Sequence, residues 1–188
     1  MNVNALMKDL PQKVSAPLTP EVCERLSTGA RVLLSGCVYT ARDAAHRRIV
    51  DALERGDAPP FDLTGAVIFY AGPTPAPPGR PVGSIGPTTS GRMDPFTPQL
   101  LERGLRGMIG KGARSREVVR AIARHRAVYF GAIGGIAALT AKCVRRAEVV
   151  AYEDLGPEAV RRLEIVDLPV IVVNDARGND LFSRADRA

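Results

Sequence analysis

Residues 31–56, RVLLSGCVYTARDAAHRRIVDALERG, change their hydrophobic period partway along. The first ten, RVLLSGCVYT, have the β-rich composition of a strand. In the rest, Ala45, Ile49, Ala52 and Leu53 fall on one face at helical spacing, and Gly56 supplies a stop. Thr40 is predicted to cap this helix, with Asp43 at the N3 position of a capping-box-like start. A strand that runs straight into a helix is the repeating unit of an α/β fold.

The alternation continues outward from this unit. Upstream, LTPEVCERL reads as a short helix with Thr19 as N-cap and Glu21 in its first turn. Downstream come a strand at 66–72, a proline-rich loop at 73–81, and an extended VGSIGP stretch. PFTPQLLERG forms a helix ending at Gly104, and GMIGKG is a short buried strand leading into a glycine turn. ARSREVVRAIARH is helical, AVYFGAIGG a strand, and IAALTAKCVRR helical. AEVVAYEDLG, RLEIVDL and PVIVVND are three further β-type segments before the closing RGNDLF. The pattern predicts an α/β (mixed α+β) chain with a mixed sheet. Residues 1–17 are expected to form an N-terminal arm and 18–188 a single domain.

Composition narrows the function classes. The 188-residue chain is 45% apolar but only 5% aromatic, so its core must be built mostly from aliphatic side chains. A net charge of +6 is compatible with anionic partners, yet arginine is interspersed with acidic residues and no basic block suggests nucleic acid. Cys23, Cys37 and Cys143 have no close spacing, which argues against a disulfide framework and fits a reducing compartment. Two histidines exclude a His-rich metal site. No secretory h-region opens the chain, and the apolar run 133–139 is too short to cross a bilayer, so no membrane association and a cytoplasmic location are expected.

Anion chemistry gathers at three places. Arg42 lies in the first turn predicted after a strand, where free N–H groups and the helix dipole favour a carboxylate or phosphate; it is equally compatible with a solvated side chain. In GSIGPTTSGRMD, residues 83–94, glycines flank Thr88, Thr89 and Ser90, with Arg92 two residues on. Hydroxyls beside a guanidinium suit a carboxylate, and a capped helix entry would use the same residues. Lys111 stands between Gly110 and Gly112, without the Ser or Thr that a phosphate-binding loop needs next to its lysine. His46, one turn past Arg42, either orients it or faces solvent. Neither a nucleophile–base pair nor a metal-ligand set is evident, so the residues read as half of a site for a small polyanion.

At YTARDAAHRR, AGPTPAPPGRPVGSIGPTTSGRMD, GKGARS and RGNDLF the sequence resembles the β subunit, or C-terminal domain, of class I iron–sulfur fumarate hydratases and tartrate dehydratases. The likeness runs from about residue 18 to 183. It implies a swivelling β/β/α domain and a separate α subunit, in an α2β2 assembly. That α subunit, not this chain, would hold a [4Fe–4S] cluster on three cysteines. It implies a hydro-lyase that interconverts fumarate and L-malate, with this chain inactive alone. Carried over by position, Arg42 and Arg92 would grip carboxylates of a C4-dicarboxylate. Thr88 would stand at the reacting carbon as the proposed base, with Thr89 beside it, and Lys111 would bind a carboxylate and raise the positive potential. Gly91 and Asp94 follow the fumarate-acting pattern. An L-tartrate dehydratase or mesaconate hydratase β subunit, or a non-catalytic small-anion-binding module, are the alternatives.

Overall fold

The computed structural model of the chain describes residues 10–132 and 137–185. Residues 133–136, where a strand and a helix were expected to meet, lie outside that description. Among the described residues, seven strands form one mixed sheet: β1 (Gln12–Ala16), β2 (Arg31–Thr40), β3 (Val67–Phe69), β4 (Gly107–Gly110), β5 (Val128–Gly131), β6 (Val144–Ala151) and β7 (Val160–Asn174). Their order is β1-β2-β3-β4-β5-β7-β6, and an additional β2–β7 pairing closes the sheet into a barrel-like arrangement. The first five strands run parallel, while β7 is antiparallel to β2, β5 and β6. The α/β expectation from the strand–helix alternation is met.

The helices are α1 (Pro20–Arg25), α2 (Asp43–Glu54), α3 (Thr97–Glu102), α4 (Arg116–Arg124), α5 (Ala137–Cys143) and α6 (Leu181–Ala185), with short 3-10 helices at Ser90–Met93 and Glu153–Glu158. Side-chain alternation along the short parallel strands sorts the apolar residues into two cores. Val67, Phe69, Ile109, Val128 and Phe130 face a core shared with Leu34, Val38, Leu163 and Val172 of β2 and β7. Ile68, Met108 and Tyr129 face the opposite side, where α2, α3 and α4 bury Ile49, Leu53, Leu100, Leu101, Val118 and Ile122. These strands are therefore covered on both faces, which is why they read as near-continuous apolar runs.

Several local expectations differ from the structure, among them the helix expected through Arg146, which ends at Cys143, where β6 begins. Thr40 does not cap α2: it ends β2, and its hydroxyl donates to the Ala159 carbonyl (3.3 Å) and accepts from Arg161 N–H (3.0 Å). RLEIVDL and PVIVVND are not separate strands but parts of the 15-residue β7. Within the expected arm, residues 12–16 form β1 and pair in parallel with β2.

Candidate functional site: a cationic edge above the parallel strands

Because β2, β3 and β4 run parallel, their C-terminal ends share one edge, the side on which open α/β sheets usually place ligands. Two residues beyond β2, Arg42 is the N-cap residue of α2, with extended backbone and no side-chain cap. Free N–H groups at this helix start need an acceptor. One is met by the chain itself: Glu158 accepts from Ala44 N–H at 3.2 Å and forms an ion pair with Arg42 Nη2 at 3.3 Å. The corner does hold a carboxylate, and it is an internal one. Arg42 Nε is buried with no partner among the described residues.

Past β3, the chain loops out and returns as the glycine-flanked turn. Thr88 N–H donates to the Tyr70 carbonyl (2.7 Å), Lys111 N–H to the Thr88 carbonyl (3.2 Å), and Ser90 N–H to the Lys111 carbonyl (2.9 Å). Thr89 and Lys111 thus form a parallel bridge that extends the ladder beyond β4. Gly110 permits this approach, since a Cβ there would overlap Ser90 Oγ. The turn becomes the Ser90–Met93 helix, which presents Arg92 outward. Arg92 Nε forms an ion pair with Asp43 Oδ1 at 2.8 Å, joining the turn to the start of α2.

The structure therefore brings Thr88, Thr89, Arg92 and Lys111 together directly, and Arg42 through its neighbour Asp43. Thr88 is half-buried; Thr89, Arg92 and Lys111 are exposed. Among the described residues the two threonine hydroxyls have no hydrogen-bond partner and Lys111 has no ion pair. Three cations and two carboxylates, Asp43 and Glu158, leave a local excess of positive charge. A neighbouring groove of about 480 Å³, lined by Pro73, Pro81, Val149, Pro157 and Arg161, includes none of the five residues. They form an open edge.

His46 does not face solvent. Its side chain is fully buried beside Tyr70 and Phe96, and Nδ1 donates to the Arg42 carbonyl at 2.9 Å. Burial holds its pKa down at about 4, so the ring is neutral at pH 7 and Nε2 is left unpartnered. Sequence reasoning missed Glu158, 114 positions from its partner Ala44, because nothing local marks it. It also missed Arg114, whose buried guanidinium lies behind the turn.

RGNDLF lies away from this edge. It follows the end of β7, where Asp175 accepts from Thr28, Asn179 and Arg177 near the N-terminal end of β2. Burial alone would raise the Asp175 pKa, but the donors from Asn179 and Thr28 outweigh it and hold it at about 2. The three cysteines do not assemble a cluster site: among the described residues no three His, Cys, Asp or Glu side chains gather in a metal-holding group. Cys23 is buried in α1, and burial pushes its pKa up to about 12. Among the described residues no helix is long and apolar enough to cross a membrane.

Fold and edge together define an α/β domain with cationic and hydroxyl groups along one edge that are unpartnered among the described residues. Over residues 6–185 the chain matches the family described as Fumarase C-terminus, and it belongs to that family. It is 41% identical to fumarate hydratase 1, mitochondrial, of Leishmania major, over 88% of this chain and 31% of that protein. Identity to the aerobic class I fumarate hydratase of Escherichia coli is 37%, over 87% of this chain and 31% of that one. The putative L(+)-tartrate dehydratase subunit beta of Methanocaldococcus jannaschii is 36% identical over 90% of both chains. The chain thus spans about a third of the fumarate hydratases it matches, and nearly all of the separate β subunit.

Proposed function

We propose that the chain is the β subunit of a cytoplasmic two-subunit [4Fe–4S] fumarate hydratase that hydrates fumarate reversibly to L-malate. The observation that carries this reading is the edge above β2–β4, where Arg42, Thr88, Thr89, Arg92 and Lys111 converge with donors to spare. A C4-dicarboxylate offers two carboxylates for Arg42, Arg92 and Lys111. When malate is dehydrated to fumarate, Thr88 takes the proton from the carbon next to a carboxylate, and in the hydration it returns it. A neutral hydroxyl is a weak base, so the surrounding cations must favour its ionised form, and they also stabilise the charge that spreads into the carboxylate. In this reading the cluster belongs to the partner α subunit. An open edge suits completion by a second polypeptide, in an α2β2 assembly.

L-tartrate is the alternative substrate, because the match to a putative L(+)-tartrate dehydratase subunit beta runs over 90% of both chains. The test is anaerobic co-expression with a cluster-bearing α subunit, then assays of fumarate, L-tartrate and mesaconate. The reading expects fumarate to be hydrated fastest, iron to reside on the partner, and this chain alone to be inactive. A cluster-loaded complex that turns over none of the three would overturn it.

A further inference from the structure

Arg114 lies three residues beyond Lys111, and its side chain is 0% exposed. Each of its three nitrogens donates to a named group. Nε donates to Asp94 Oδ1 at 2.7 Å, Nη2 to Thr97 Oγ1 at 2.7 Å, and Nη1 to the Tyr70 hydroxyl at 3.2 Å. The guanidinium stands 5.4 and 5.1 Å from the Tyr70 and Tyr129 ring centroids. Burial would lower its pKa, but Tyr70 and Asp94 outweigh that, and the group stays charged.

Each partner is tied onward to a segment of the site. Asp94 Oδ2 accepts from Ser115 N–H at 2.7 Å. Thr97 Oγ1 donates to the Met93 carbonyl at 2.9 Å. Tyr129 donates to the Gly112 carbonyl at 2.8 Å, so its single proton is used and Ser90 Oγ must donate to it, also at 2.8 Å. One buried cation therefore fastens the turn that carries Thr88, Thr89 and Arg92 to the loop that carries Lys111. A charge is a costly way to fill an apolar core, and a well-packed apolar side chain often does so at least as well. What the guanidinium adds here is fixed direction in its hydrogen bonds.

We propose that Arg114 is a positioning residue: it sets the spacing and orientation of Lys111 against the Thr88–Arg92 turn. Only its activity readout rests on the hydro-lyase reading. The test uses Arg114→Lys, which keeps the charge and loses the fork, and Asp94→Asn in case the first fails to fold. Amide hydrogen exchange of the full chain and kcat per folded two-subunit enzyme are both measured. The expected result is exchange faster by 10-fold or more at the Ser90 and Lys111 amides, with β3 and β5 unchanged. It comes with a kcat loss of about 10- to 100-fold, the scale of small misplacements in a positioned site. Unchanged exchange and kcat in a folded variant would overturn the proposal. So would exchange accelerated evenly through β3–β5, which marks a purely core role. Local loosening in an assembly whose wild type turns over no dicarboxylate would keep the clamp and remove the hydratase reading.

Discussion

His46 gives its Nδ1–H to the Arg42 carbonyl, and its buried Nε2 has no partner among the described residues. Its folded pKa of about 4 lies below the ordinary 6.5, so the unfolded chain binds the proton first. The stability that follows is complete above pH 6.5 and is lost progressively as pH falls toward 4. Its size is on the order of 3 kcal/mol, from the free-energy equivalent of a pKa shift. Melting temperature measured against pH should fall across that window and fall less in His46→Asn, whose amide can replace the Nδ1 donor. An identical slope in the variant would show that His46 does not carry the effect. His125 also has a pKa lowered by burial and remains in both proteins, so the difference isolates His46. Asp175, held at about 2, acts in a separate, more acid range and is lost only below the ordinary carboxylate pKa. Residue types at 42, 88, 92 and 111 were legible as anion-binding groups because arginine, threonine and lysine advertise that chemistry. Their carboxylate partners Asp43 and Glu158 were not, since an ion pair across the fold leaves no trace in spacing.

At the scale of elements, β2 and the helix after it were read within two residues, because the change of period is sharp and Gly56 stops the helix. β7 was read as two strands because Asp-Leu-Pro interrupts it. The structure absorbs the break: Asp167 takes a left-handed φ of 51°, its N–H is held by Ser35 Oγ at 2.9 Å, and the ladder with β2 shifts register there. The short β4 matters most to the site, because it ends at Gly110 directly beneath Ser90. Gly110→Ala should push Ser90 off Tyr129 and crowd Tyr70. An overpacked position of this kind typically costs about 1–3 kcal/mol. Calorimetry should then show a melting point lower by several degrees, roughly 2–4 °C per kcal/mol for a chain of this size. A melting point unchanged within a degree would mean that the turn does not approach β4 as described.

At the scale of the whole molecule, the order of the parallel strands decides where chemistry gathers. Arg42, Thr88 and Lys111 are far apart in sequence, yet each follows the C-terminal end of one of three adjacent strands or pairs with such an end. Sequence patterning gives the strands but not their order, and order alone turns these positions into neighbours. RGNDLF, another of the stretches that carry the family likeness, falls elsewhere and serves to tie the end of β7 to the residues before β2. Under the proposed function, a partner subunit would cover the exposed, positively charged edge. The most direct measurement is kcat/KM of the assembled two-subunit enzyme for its preferred dicarboxylate, in Arg42→Ala, Arg92→Ala and Lys111→Ala, with Arg120→Ala on the exposed side of α4 as control. Each of the three should lose about 100-fold or more, the usual cost of removing one positioned donor, while the control stays within twofold of wild type. Three folded site variants that match the control would contradict a substrate site on this edge.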